Sequence, residues 1–163
     1  FEFSIGSAEA VGKYPTRLIE PSEMKQELRG GGAAYRHVNH VLAPPIQAER
    51  LILYEVYVPR GTWSGWAPHR HDGRDGSPYL EELFTARNGE AVLVTKGYHS
   101  SVACPSSHMM FLNYLAGELY DDERTTPPCF DEAHTWIQDD WDHEAWELPV
   151  VRPPDAAGSA AKG

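Results

Sequence analysis

His69 and His71 stand one residue apart in "APHRHD". On a strand, where side chains alternate, that spacing turns both imidazoles to one side and Arg70 to the other, so the pair can grip a single ion. Ten residues beyond His71, "YLEELF" offers Glu81 and Glu82; alternation lets at most one of them reach the same ion. A further imidazole, His99, follows a β-type run and a glycine turn in "VLVTKGYHSS". Three imidazoles and a carboxylate form a donor set suited to Zn, Mn, Fe, Ni or Co, with open positions for water or substrate. An HxH pair alone is weak evidence. The joint pattern of Gly61, HxH, Glu and a later Gly-x-His is much more specific.

Strands must position these groups. Thirteen prolines and fourteen glycines cut the chain into short pieces, and helical periodicity is scarce, which predicts an all-β domain. The clearest strand is "LILYEVYV", Leu51 to Val58, closed by Pro59 and Gly61. Others are predicted over 26–29, 35–41, 91–95, 101–104 and 109–115, with a possible helical turn within 20–28 because Pro21 suits a first turn. Within Leu51–Val58 one face carries Ile52, Tyr54, Val56 and Val58, and the other Leu51, Leu53, Glu55 and Tyr57. A face bearing Glu55 and Tyr57 either lines a barrel cavity or meets solvent. His37 and His40, three apart, face opposite ways and read as structural or exposed, and of Asn113 and Tyr114 only one can face inward. His134 and His143 read as parts of a packed C-terminal cap.

The 163 residues suffice for one compact domain with a core. Twenty-four acidic against fourteen basic residues give a net charge of -10, which repels phosphate backbones and anionic lipid, so neither nucleic acid nor membrane is expected as a partner. No run approaches the roughly 20 apolar residues of a membrane span, and no signal-like segment stands at the start. Two cysteines, Cys104 and Cys129, read as unpaired thiols in a reducing, cytoplasmic compartment.

The motif order resembles the cupin fold, in which Gly, HxH and Glu followed by Gly and His bring four ligands into one jelly-roll barrel (a double-stranded β-helix). Here the first motif runs Gly61, His69, His71, Glu82 and the second Gly89, Gly97, His99. Within that fold, "RLILYEVYVPRGTWSGWAPHRHD", "YLEE", "VLVTKGYH", "FLNYLAGE" and "AHTWI" resemble the bacterial 5-deoxy-glucuronate isomerase family of myo-inositol catabolism, related to the 5-keto-4-deoxyuronate isomerases of pectin breakdown. The resemblance covers roughly residues 14 to 140. It implies the C-terminal, metal-bearing cupin of a two-cupin protein: residues 1–20 as a remnant of the N-terminal lobe, 21–148 as the metal-binding domain and 149–163 as an extended tail. It also implies Glu82 as the carboxylate ligand, with Glu81 as runner-up. Only six residues separate Glu82 from Gly89, whereas a barrel needs on the order of 15 between its motifs, so the sequence is expected to omit a disordered segment near Phe84 to Asn88.

The activity implied is an aldose-ketose isomerisation of 5-deoxy-D-glucuronate to 5-dehydro-2-deoxy-D-gluconate, with a divalent ion as Lewis acid and template. A group within about 3 Å of both carbons must move the proton. Glu55 is the first candidate base, the alternative being a structural acid paired with Arg36 or Arg50; Tyr57 and Tyr98 are candidate substrate contacts or proton shuttles. The anionic sugar acid needs a cation in a chain of charge -10: Lys96 is preferred, and Arg70 follows because alternation turns it outward. A homo-oligomer is expected. An Fe(II) oxygenase and a non-catalytic sugar-binding cupin are the rival readings.

Overall fold

A computed structural model describes residues 13–71 and 83–139. Among the described residues seven strands and three short 3-10 helices follow one another: a turn at Pro21–Glu23, β1 (Lys25–Gly31), β2 (Ala34–Leu42), β3 (Ile52–Val58), β4 (Trp63–Arg70), β5 (His99–Val102), β6 (Met109–Leu115), a turn at Asp121–Thr125, β7 (Cys129–Phe130) and a last turn at Glu132–Asp139. The strands form a four-stranded sheet, β1-β2-β3-β6, and a three-stranded sheet, β5-β4-β7, and every pairing is antiparallel. The all-β expectation holds, and the turn at Pro21 is a single 3-10 turn closed by a capping box between Glu20 and Glu23.

Alternation on β2 and β3 decides what lies between the sheets. Val38 sits opposite Val56 in the β2-β3 register, and with Val58 and Ala103 they form the buried core, flanked by Tyr54, Met109 and Phe111. Branched apolar side chains in phase on neighbouring strands drive this choice, because burying them removes more apolar surface from water than burying the opposite face would. The inner face therefore holds Ile52, Tyr54, Val56 and Val58. The link between the sheets is sealed by backbone bonds: Trp63 N–H donates to Ala33 O at 2.7 Å, Gly61 N–H to Ala103 O at 3.1 Å and Ala103 N–H to Thr62 O at 3.0 Å.

The same choice overturns the cavity placement of Glu55 and Tyr57. Both project from the outer face of the larger sheet: Tyr57 is 42% exposed, and Glu55 accepts a 2.9 Å bond from Asn39 Nδ2, its cross-strand neighbour on that face. Tyr57 also lines an open cleft with Tyr35, His37, Val58, Pro59, Met109 and Met110, and none of the three site histidines lines it. Neither Arg36 nor Arg50 pairs with Glu55; Arg36 donates to Ser64, and Arg50 stacks on Tyr120 at 3.9 Å.

The strand predicted over 91–95 does not form. A strand needs a partner for its N–H and C=O groups, and among the described residues no strand pairs with this run. Its side chains are left in solvent, Leu93 at 88%, as is Leu83 at 96% on the other side of the turn at 87–90. The predicted strand at 101–104 is shifted upstream to His99–Val102, which brings His99 onto the sheet. Residues 1–12, 72–82 and 140–163, and with them Glu81, Glu82 and His143, lie outside the described residues.

Candidate metal centre

β4 ends at Arg70 with His69 as its penultimate residue, and His71 stands in the bend that follows. β5 opens at His99, and the β4-β5 register sets His69 directly opposite His99. Antiparallel pairing thus joins the two histidine motifs predicted from spacing. The ligand atoms of His69, His71 and His99 all lie within 4.8 Å of one another, with ring centroids 5.1 Å apart for His69–His71, 4.6 Å for His69–His99 and 5.5 Å for His71–His99.

The backbone fixes how two of these rings are protonated. His69 Nδ1 lies 2.9 Å from Gly65 O and 3.3 Å from Ala67 O, and His99 Nδ1 lies 3.2 Å from Gly97 O. A carbonyl only accepts, so each Nδ1 carries the proton and donates, leaving Nε2 with its lone pair for an ion. This carbonyl anchoring is the usual support of a metal-bound imidazole. His69 is also held neutral, its pKa pushed down to about 4 by burial first, then by the neighbouring His99, against the raising effect of its bonds to Gly65 and Ala67. Such a donor set fits a divalent transition ion from Mn to Zn.

Two glycines make the anchors possible. Gly97 has φ +90°, a conformation that L side chains rarely adopt, and so does Gly65 at +76°. A Cβ on Gly65 would stand 2.7 Å from His69 Cε1 and 3.0 Å from Arg36 Nη1. Arg36 and His69 are therefore neighbours across the gap between the sheets.

Arg36 leads to a wall that sequence reasoning missed. It lies in phase with Val38 and His40 on β2, and opposite these three on β1 stand Arg29, Glu27 and Lys25 in turn. Arg36 Nη1 donates to Ser64 Oγ on β4 at 3.1 Å. Burial, and next the charge of Arg29, push Arg36 down to about 10, which still leaves it charged at neutral pH. Glu27 Oε2 accepts from Arg29 Nη2 and His40 Nε2, each at 2.9 Å, with Lys25 Nζ at 3.5 Å. His40 is 6% exposed, lies edge-on to Tyr54, and is shifted down by burial, partly offset by Glu27. The signal was present in "QELRG" and "AYRHVNH": Glu27 with Arg29, and Arg36 with His40, recur in phase with Val38.

Glu27 gives an expected pH dependence. Burial alone would raise its pKa, but the bonds from Arg29 and His40 win and hold it at about 2 against an ordinary 4.5. A carboxyl depressed on folding adds stability that is complete above pH 4.5 and fades as pH falls towards 2. The urea midpoint of the native chain should therefore exceed that of Glu27→Gln by its full margin above pH 4.5, with the margin shrinking towards pH 2. A margin constant across that window would show that packing, not charge, carries the network.

The remaining predicted groups lie elsewhere. Tyr98 is exposed under the Arg70 guanidinium, 5.1 Å from its ring centre, and Lys96 is exposed in the bend before it. Arg70 is half-buried in this stack with its Nε shielded from solvent, and neither cation stands on the β1-β2 wall that carries Arg36. His37 faces Tyr57 on the outer side, opposite to His40 as expected. His134 is held by Asp131 at 2.6 Å and by the edge of Trp66, in keeping with a packed cap. Asn113, opposite Tyr54, takes the inner side of β6, and Tyr114 the outer.

Comparison with known proteins bears on this arrangement. A family model described as the KduI/IolB family matches residues 1–85 and 76–137. The 5-deoxy-glucuronate isomerases of Geobacillus kaustophilus (strain HTA426) and Geobacillus thermodenitrificans (strain NG80-2) are 34% and 32% identical over 85% of this chain. Each is matched over 59% of its own length, so the chain spans less than two thirds of these relatives. The crystal structure of an IolB-like protein from Salmonella typhimurium LT2 superposes with a TM-score of 0.66 at 28% identity, covering 74% of this chain and 55% of that one. Facing antiparallel sheets and this neighbour fit a cupin-like fold.

Proposed function

The chain belongs to the KduI/IolB family, and from that premise we propose that it is a metal-dependent sugar-acid isomerase converting 5-deoxy-D-glucuronate to 5-dehydro-2-deoxy-D-gluconate, acting in the cytoplasm as a homo-oligomer. The observation that carries this reading is the gathering of His69, His71 and His99 with their donor atoms within 4.8 Å, in relatives' company that bears the isomerase name.

His69, His71 and His99 would hold a Zn, Mn, Fe, Ni or Co ion, with a carboxylate from Glu82 completing the set. Bound there, the ion supplies Lewis acidity, lowering the cost of negative charge on the carbonyl and neighbouring hydroxyl oxygens of the open-chain sugar acid. The chain's own residues do the rest. The Gly65 and Gly97 carbonyls fix the tautomers of His69 and His99. Glu55 bonds Asn39 on the outer face of the larger sheet, turned away from the histidine cluster. Glu27, held at about 2, is too acidic to take a carbon-bound proton and instead orients the cations around it.

Proton NMR on the zinc- or manganese-loaded chain with 5-deoxy-D-glucuronate, without oxygen, tests the proposal. Loss of the aldose signals and growth of the ketose product is expected. Turnover that requires oxygen would favour the oxygenase reading, and binding without turnover the sugar-binding one.

A further inference from the structure

Among the described residues the inner wall carries a guanidinium, that of Arg36, which no carboxylate pairs with directly; Glu27 offsets its charge only from a distance. Among the described residues Arg36 forms no ion pair, and it donates a hydrogen bond to the neutral Ser64 hydroxyl. Glu27, the nearest acid on the wall, already serves Arg29, His40 and Lys25. Arg29, the cross-strand neighbour of Arg36, adds like charge. A half-buried guanidinium without a counter-anion is costly. In a chain of net charge -10 its retention beside the three histidines calls for an anion from outside.

We propose that Arg36 is the residue that binds the substrate's carboxylate, seating the sugar acid with its anionic end on β2 and its reacting end at the histidine cluster. This rests on the isomerase reading above and adds to it the source of acid specificity. The geometry suits the task. Arg36 Nη1 and His69 Cε1 flank the same point above Gly65, at 3.0 and 2.7 Å, so an anion on the guanidinium lies beside the metal ligands without displacing them. Ser64 takes one N–H of Arg36, and the planar fork has further donors for a two-point contact with a carboxylate. The role passes from Lys96 and Arg70, both off this wall, to a side chain on it. Positive charge from Arg29 strengthens the attraction for an anion.

Calorimetric titration of the zinc-loaded full chain tests this with two probes, 5-deoxy-D-glucuronate and its neutral counterpart with a hydroxymethyl group in place of the carboxylate. For Arg36→Gln, affinity for the acid should fall about ten- to a hundredfold, the scale of a lost charged hydrogen bond, while the neutral sugar and the zinc content are unaffected. Arg36→Lys keeps the charge without the fork and should recover part of the preference, which also serves if the Gln variant does not fold. Equal affinity of native, Gln and Lys chains for the acid overturns the proposal. Arg36-dependent binding of the acid with no isomerisation would uphold it while removing the isomerase reading; a native chain that binds neither probe removes both.

Discussion

Replacing His69, His71 or His99 with alanine is expected to strip the chain of its divalent ion and to abolish turnover of 5-deoxy-D-glucuronate, with the fold retained. Loss of an outer partner that merely orients a ligand costs about 10- to 100-fold in metal affinity or activity, and loss of the ligand itself must cost more. The three positions differ in what else they support. His69 is packed between His71, His99 and Phe130, so its removal also opens space beside β7. His71 is exposed, so its replacement should lower metal affinity with the least effect on stability. Elemental analysis of dialysed protein, together with thermal melting, separates the two effects. A variant that keeps a full complement of metal and activity would remove that histidine from the ligand set.

Gly65→Ala is expected to disable the site almost as thoroughly, although position 65 is neither ligand nor acid. Its φ of +76° costs a residue with a Cβ about 1–2 kcal/mol. The added atom would meet His69 Cε1 at 2.7 Å and Arg36 Nη1 at 3.0 Å, closer than carbon contacts allow, so both side chains must move. Moving the backbone instead would break the 2.9 Å bond by which the Gly65 carbonyl orients His69. Metal affinity should drop about 10- to 100-fold, and KM for the acid should rise with it because Arg36 is displaced. Gly32, with φ +52° and nothing within 4 Å of its would-be Cβ, is the control: alanine there carries the backbone cost alone. Equal behaviour of the two variants would reduce the Gly65 effect to strain.

Much of the candidate metal centre was legible because its chemistry is local. HxH spacing on a strand and a glycine two residues before His99 need no knowledge of distant packing, and the β4-β5 register completes them. The face of β3 was not legible from β3 alone. Both its faces carry apolar and polar residues, and only the match of Val38 to Val56 across the sheet decides that Glu55 and Tyr57 turn outward. Arg36 was hidden for the same reason. Read alone it is one arginine in a strand, and its meaning comes from Ser64 and His69 on another sheet. The run at 91–95 shows the converse: strand propensity without a partner yields exposed chain.

The central claim is that an ion held by His69, His71 and His99 makes this chain an isomerase of 5-deoxy-D-glucuronate. Titrating the metal-free chain with zinc or manganese while following ketose formation tests it most directly. Turnover is expected to rise in step with bound metal, to saturate at one ion per chain, and to stay flat in His99→Ala. Full turnover in the metal-free chain, or a full site that leaves 5-deoxy-D-glucuronate untouched, would contradict it.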